Sequence, residues 1–183
     1  MNNPNMEFNW KKSLGPMGLI LIGFIIIVLK PFYIVDTGHR GVKLRFGEVV
    51  SNSLPEGLYF FNPITTKMQE LDVRVLKWSD STLCYTKDVQ NVEVQFTVNY
   101  RPNHDKAHVL YRDVGMDWAN TLLPQVVYGK IKEIVGQYNA VELVSDRLNA
   151  TAEIQTTIME NLREKDIIVK NFEINNLDFN DPF

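Results

Sequence analysis

The chain is 183 residues long and carries 19 Lys and Arg against 22 Asp and Glu, a formal net charge of −3. Three of the bases and one of the acids precede Asp36, which leaves 16 against 21 beyond it, and a net −5 argues against nucleic acid, which rewards a basic face. A single cysteine, Cys84, excludes an intrachain disulfide framework.

Residues 1–13 read as a short N-terminal tail. Leu14–Leu29, LGPMGLILIGFIIIVL, holds no charge and lies between Lys11/Lys12 and Lys30. Leu19, Ile20, Leu21, Ile22, Phe24, Ile25, Ile26, Ile27, Val28 and Leu29 form its apolar body. As a helix, Ser13–Leu29 spans roughly 26 Å, a little short of a hydrocarbon core of about 30 Å. Lys30 can snorkel, so Pro31-Phe32-Tyr33-Ile34-Val35 can lengthen the apolar stretch, and residues 14–35 are expected to be a transmembrane anchor. Trp10 and Phe32/Tyr33 suit the two interfaces. A cleaved signal peptide opens in a similar way, but the run is long for one and no small-x-small site follows. A buried core helix is seldom apolar all round over this length. The N-terminus contains Glu7 and no Arg, unlike a mitochondrial presequence, so a bacterial cell or inner membrane is the expected location. Charges on both sides of the anchor leave its orientation open.

Beyond the anchor, about 148 residues suffice for one core or two small ones. Val42, Leu44 and Phe46 alternate with Lys43 and Arg45, which predicts a half-buried strand closed by Gly47. Pro55-Glu56-Gly57 is a turn. Leu58, Tyr59, Phe60 and Phe61 form a short apolar run stopped by Asn62-Pro63. A strand buried on both faces is the default for such a run, and a shallow membrane-contacting edge beside the anchor is the functional alternative. Leu71, Val73 and Val75 alternate with charged residues as the next strand. The clearest strand is Val92–Tyr100, with Val92, Val94, Phe96, Val98 and Tyr100 on a face that must be covered.

The second half turns helical. A helix from Pro102-Asn103 turns Ala107, Leu110, Tyr111 and Val114 inward and ends at Gly115. The next runs from about Asp117, its stripe drawn by Leu123, Val127, Ile131, Ile134 and Tyr138. Pro124 is either its first position or a kink. A third begins at Ser145 as N-cap, with Ala150, Ile154, Ile158 and Leu162 buried. In the last strand, Ile167–Phe179, the phase of Phe172 and Ile174 slips to that of Leu177 and Phe179, which places a bulge at Asn175-Asn176. The fold class expected is α+β, a strand-rich first half followed by a helix-and-strand second half.

Several of these segments resemble prohibitins in order and spacing. They are TKDVQNVEVQFTVNYRP at Thr86–Pro102, Tyr111-Arg112-Asp113-Val114-Gly115 through Asp117-Trp118 and Leu123-Pro124, Gln137-Tyr138-Asn139-Ala140 through Leu143-Val144-Ser145-Asp146-Arg147, and the closing Asn176-Leu177-Asp178-Phe179. Gly38-His39-Arg40-Gly41-Val42 and Pro55-Glu56-Gly57-Leu58 resemble the opening of the broader stomatin–prohibitin–flotillin (SPFH, band 7) domain. The resemblance implies an SPFH-type domain over residues 36–179 on an N-terminal membrane anchor. It implies a non-enzymatic subunit, without cofactor, of homo-oligomeric or paralogue-containing rings or cages that organise membrane and regulate AAA membrane proteases. Family members continue into a long coiled coil. Residues 180–183 are read as a tail, with Asp181-Pro182 disfavouring helix and no heptad run present.

Other chemistry is weakly signalled. His104 and His108 lie four apart, as metal ligands can, but no third ligand is identifiable, so two solvated histidines are the simpler reading. Cys84 is most simply a buried apolar side chain. Asn149-Ala150-Thr151 fits a glycosylation acceptor but falls on an expected helix. No catalytic, metal or cofactor residue is assigned. The alternatives to a scaffold are a monomeric tether that docks a soluble partner and a membrane-tethered hydrolase using Cys84 or the histidines. The anchor predicts that the intact chain stays with the membrane pellet on carbonate extraction; recovery in the soluble fraction with the apolar run uncleaved would refute it.

Overall fold

The computed structural model describes residues 30–179, together with Gly18, Gly23 and Phe24, which take helical positions. The rest of the apolar run expected to be the anchor lies outside the described residues, as do residues 180–183. Among the described residues no helix is long and apolar enough to cross a membrane.

The first layer is built from short strands. β1 (Phe32–Val35) pairs antiparallel with β4 (Gly57–Phe60) as a two-stranded ribbon. β2 (His39–Arg45) lies between β3 (Glu48–Val49) and β5 (Thr66–Asp72), antiparallel to both. Phe32–Val35, which hydropathy adds to the anchor, are thus strand residues. Val42 and Leu44 are buried as their alternation predicts, but Phe46 is 82% exposed. The reason is local. β2 ends at Arg45, and Phe46-Gly47 form a two-residue hairpin turn in which both φ angles are positive, 52° and 91°. The alternation across Leu71, Val73 and Val75 likewise spans a break. β5 stops at Asp72, whose carboxylate accepts hydrogen bonds from the Arg74 backbone N–H (2.9 Å) and guanidinium (2.6 Å). Val73 stays in the core and Val75 turns out to solvent.

The chain then enters a second sheet of order β6-β7-β8, formed by Leu76–Tyr85, Asn91–Pro102 and Ile167–Phe179. In β7 the alternation is complete: Val92, Val94, Phe96, Val98 and Tyr100 are all buried. β6 is a ten-residue strand that sequence reasoning missed, because Ser79-Asp80-Ser81-Thr82 hides its period. In β8 the pairing skips Asn175 between Phe96↔Ile174 and Gln95↔Asn176, as the phase slip predicts. It also skips Lys170, between Tyr100↔Val169 and Asn99↔Asn171, an irregularity the sequence did not announce. The two extra residues let Ile167, Val169, Phe172, Ile174 and Leu177 all turn toward the core.

Helices cover one face of this sheet. A 3-10 turn at His104–Lys106, capped by the Asn103 side chain, leads into α1 (Ala107–Asp113), and Gly115 at φ 99° ends it. α2 (Trp118–Val135) holds Pro124 in its interior rather than at its first position. Ser145 is not an N-cap. It closes a short helix, α3 (Ala140–Ser145), which begins with a capping box of Asn139 and Glu142, and Asp146 precedes α4 (Arg147–Glu164). The packing centre is Phe96. Its ring meets Trp78 edge-on at 5.1 Å and stacks on Phe172 at 6.0 Å, and Tyr128 of α2 closes on both Trp78 and Phe96. Ile131 of α2 and Ile154, Ile158 and Leu162 of α4 are fully buried over the same sheet.

The two layers are clipped together by histidines. His104 Nε2 lies 3.2 Å from the Val73 carbonyl. His108 Nδ1 accepts from the Ser53 backbone N–H at 3.1 Å, and the His108 backbone N–H donates to Ser53 Oγ at 3.0 Å.

A bulky aromatic in the left-handed region at Phe46 is strained, and an exposed ring recovers little by packing. Phe46→Asn is therefore expected to raise unfolding stability in detergent by about 1 kcal/mol, read by chemical denaturation.

Candidate membrane-contact face

The ribbon of β1 and β4 has two unlike faces, because side chains alternate along each strand and directly paired residues share a side. Tyr33 faces Tyr59 on the inner side, with Val35 2% exposed beside them. This side rests on β2 at Gly41, where a Cβ would come within 2.8 Å of Val35 Cγ2; the glycine lets the ribbon sit close. Tyr59 also donates its hydroxyl to the Pro55 carbonyl at 2.8 Å. The outer side carries Phe32 opposite Phe60 and Ile34 opposite Leu58. These four are 46%, 73%, 60% and 54% exposed.

The run Leu58–Phe61 is therefore split. Tyr59 and Phe61 are half-buried, whereas Leu58 and Phe60 point away from the protein. Burial on both faces, the default for such a run, does not occur, since among the described residues no element packs on the outer side of the ribbon. Apolar side chains scattered singly are ordinary on a surface, but four in two cross-strand pairs form a contiguous patch.

The ribbon begins where the apolar N-terminal run ends. The Phe61 backbone N–H donates to the Pro31 carbonyl at 3.0 Å, which fixes the end of β4 beside Lys30-Pro31. From there the chain turns through Asn62, whose carbonyl accepts from Thr65 and Thr66. The Thr65 carbonyl in turn accepts from the Phe46 N–H at 3.0 Å. Two further exposed apolar side chains, Ile64 (77%) and Phe46 (82%), thus project from adjacent turns at this same end. Sequence reading missed both. A Phe-Gly pair between two alternating runs was the available signal for Phe46, since such a turn breaks the alternation.

Elsewhere the structure offers little reactive chemistry. His104 and His108 serve separate hydrogen bonds, and among the described residues no three His, Cys, Asp or Glu side chains are grouped to hold a metal. Cys84 is 1% exposed, and burial pushes its thiol up to about 11, with Lys132 opposing only weakly. A catalytic thiol needs the opposite shift. Asn149 lies in the first turn of α4, where its amide donates to Asp146 at 2.6 Å. Val141, Val144 and Leu148 are also exposed at the α3–α4 corner, and the first two line a groove of about 410 Å³ together with Phe179, where the described chain ends.

Comparison with known proteins gives a consistent answer. The model of the SPFH domain / Band 7 family matches residues 33–183. The chain is 28% identical over 182 residues to mitochondrial prohibitin complex protein 1 of Caenorhabditis elegans, covering 97% of this chain and 66% of that protein. It is 29% identical over 171 residues to Prohibitin-7, mitochondrial, of Arabidopsis thaliana, covering 93% and 59%, and 30% identical over 152 residues to Prohibitin-2, mitochondrial, of the same plant, covering 82% and 53%. The chain thus spans between about half and two thirds of the length of these relatives.

The state of Cys84 can be checked directly. In the folded protein at neutral pH a maleimide is expected to leave it unmodified, with stoichiometric labelling only after denaturation; rapid labelling of folded protein would mean an open, reactive thiol.

Proposed function

This chain belongs to the SPFH domain / Band 7 family, and we propose that it acts as a membrane-anchored scaffold of the prohibitin type, its ribbon face lying against the bilayer. Prohibitin relatives support a scaffold role and association with membranes and with further copies or paralogues. The observation that carries the membrane geometry is the outward pairing of Phe32 with Phe60 and Ile34 with Leu58 on a ribbon that starts at Lys30. In this reading residues 14–29 cross the membrane once as the anchor, with Leu19–Leu29 in lipid. The ribbon then meets the interface, and removal of its outer side chains from water adds to the hold of the anchor.

Tethering explains why weak contacts between domains can suffice for assembly. Anchored copies diffuse in a plane, so lateral contacts gain effective concentration, and rings or cages form without a large pairwise interface. Control of an AAA membrane protease is the function proposed for such a ring, which would confine the substrates the protease can reach. A bacterial inner membrane fits an N-terminus that contains Glu7 and no Arg, whereas the relatives named above are mitochondrial by name. A hydrolase reading finds no support in the buried, neutral Cys84.

Two arms test the proposal on the full chain. Detergent-solubilised protein is expected to run as an oligomer in mass photometry; a strict monomer would favour the simple tether. In proteoliposomes, Phe60→Cys should react with a membrane-impermeant maleimide at least about tenfold more slowly than Tyr85→Cys on the second sheet, because an interface-buried side chain is screened from water. Equal rates in the two variants would remove the ribbon from the bilayer.

A further inference from the structure

We propose that the end of the domain bearing Phe46 and Ile64 is a docking surface for anionic lipid headgroups, with the two apolar tips entering the interface and Lys30, Arg45 and Lys67 holding the phosphates around them. This rests on the membrane-facing reading of the ribbon and adds a lipid preference to it.

The geometry is a short chain of backbone contacts. Phe61 is bonded to Pro31, Asn62 to Thr65 and Thr66, and Thr65 to Phe46, so the Lys30 junction, the Ile64 turn and the Phe46 turn share one end of the first layer. Phe46 and Ile64 are each more than three-quarters exposed. Neither exposure is explained by folding. Phe46 occupies a left-handed turn position where a small polar residue would be less strained. A large ring there loses little only if something outside the domain receives it.

The charges around the tips are unbalanced. Arg45 immediately precedes Phe46. Lys67 is paired with Leu44, and Arg45 with Thr66, so the two cations stand on opposite sides of the strand pair with the turn between them. Lys30 precedes the ribbon. All three are exposed, and among the described residues none makes an ion pair. Glu48 is the acid that accompanies them among the described residues, and it pairs in register with Arg45 across the turn. By contrast, Arg40 is committed to Glu56 and Arg74 to Asp72. A domain with an acidic balance therefore turns a cationic collar, centred on apolar tips, toward the side where its chain enters. An anionic leaflet matches both parts, since bases near it are attracted while apolar tips are buried at the headgroup boundary.

Each base held near such a surface multiplies the docked-to-undocked ratio by roughly five. The test uses the full chain carrying Ile64→Cys labelled with an NBD fluorophore; the buried Cys84 stays unlabelled. The protein is reconstituted in vesicles of phosphatidylcholine alone or with phosphatidylglycerol, and NBD quenching by spin-labelled lipid is measured. The expected result is quenching that is stronger with phosphatidylglycerol. Arg45→Gln with Lys67→Gln should lower the docked ratio there roughly 25-fold, and high salt should weaken it too, while Arg45→Lys with Lys67→Arg should preserve it. Equal quenching in both lipids, insensitive to the Gln pair, would overturn the lipid preference and leave the membrane contact standing. Absence of quenching in either lipid would overturn the membrane-facing reading itself. Thermal unfolding of the variants guards against misfolding, since both changed side chains are exposed.

Discussion

A strand presents side chains to two sides, and among the described residues the helices packed on the sheets cover only one side of one sheet. Helices α1–α4 all follow β7 in sequence, and the long ones, α2 and α4, settle on the face of β6-β7-β8 that carries Phe96. Among the described residues nothing remains to cover the outer side of the ribbon of β1 and β4. Its inner side is taken up by β2 through Gly41, and its outer side is left apolar and open. The membrane reading grows from that shortage of cover. A soluble protein is expected to place polar groups on such a face, and this chain places two phenylalanines, an isoleucine and a leucine there.

The same constraint separates the two halves by their material. In the second sheet the core is dense and aromatic, with Phe96 meeting Trp78, Tyr128 and Phe172. The first layer is thin. It depends on close backbone approach at Gly41, on the Arg74 clasp over Asp72, and on the hydrogen bonds of His104 and His108 to the joint. A densely packed body joined to a thin layer with an open apolar face suits the proposed scaffold. Membership of the SPFH domain / Band 7 family agrees with this division, and the matched region covers both halves.

Much of the second half could be read directly. β7 announced itself through five apolar residues in strict alternation, and the spacing of Ala150, Ile154, Ile158 and Leu162 drew the buried stripe of α4 correctly. The bulge at Asn175 was legible because two runs of opposite phase met there. Failures fell where periodicity crossed a boundary. Phe46 and Val75 continued an alternation whose strand had already ended, so each was expected inside and lies outside. β6 went unseen because its inward set mixes Trp78 and Cys84 with Asp80 and Thr82. Ser145 looked like a cap because its own helix, α3, is too short to show a period.

By itself the sequence determined the class of the fold, the apolar run before Lys30 and the resemblance to prohibitins, because hydropathy, period and motif order are properties of neighbouring residues. Which side of Leu58–Phe61 meets water was decided only in three dimensions. That outcome depends on Phe32 and Ile34 lying across from Phe60 and Leu58, a pairing of strands more than twenty residues apart. The gathering of Phe46 and Ile64 at one end was settled in the same way, by backbone bonds among three separate turns. Local pattern can say that a strand has two unlike faces; only the packing of distant segments says which face is left without a partner.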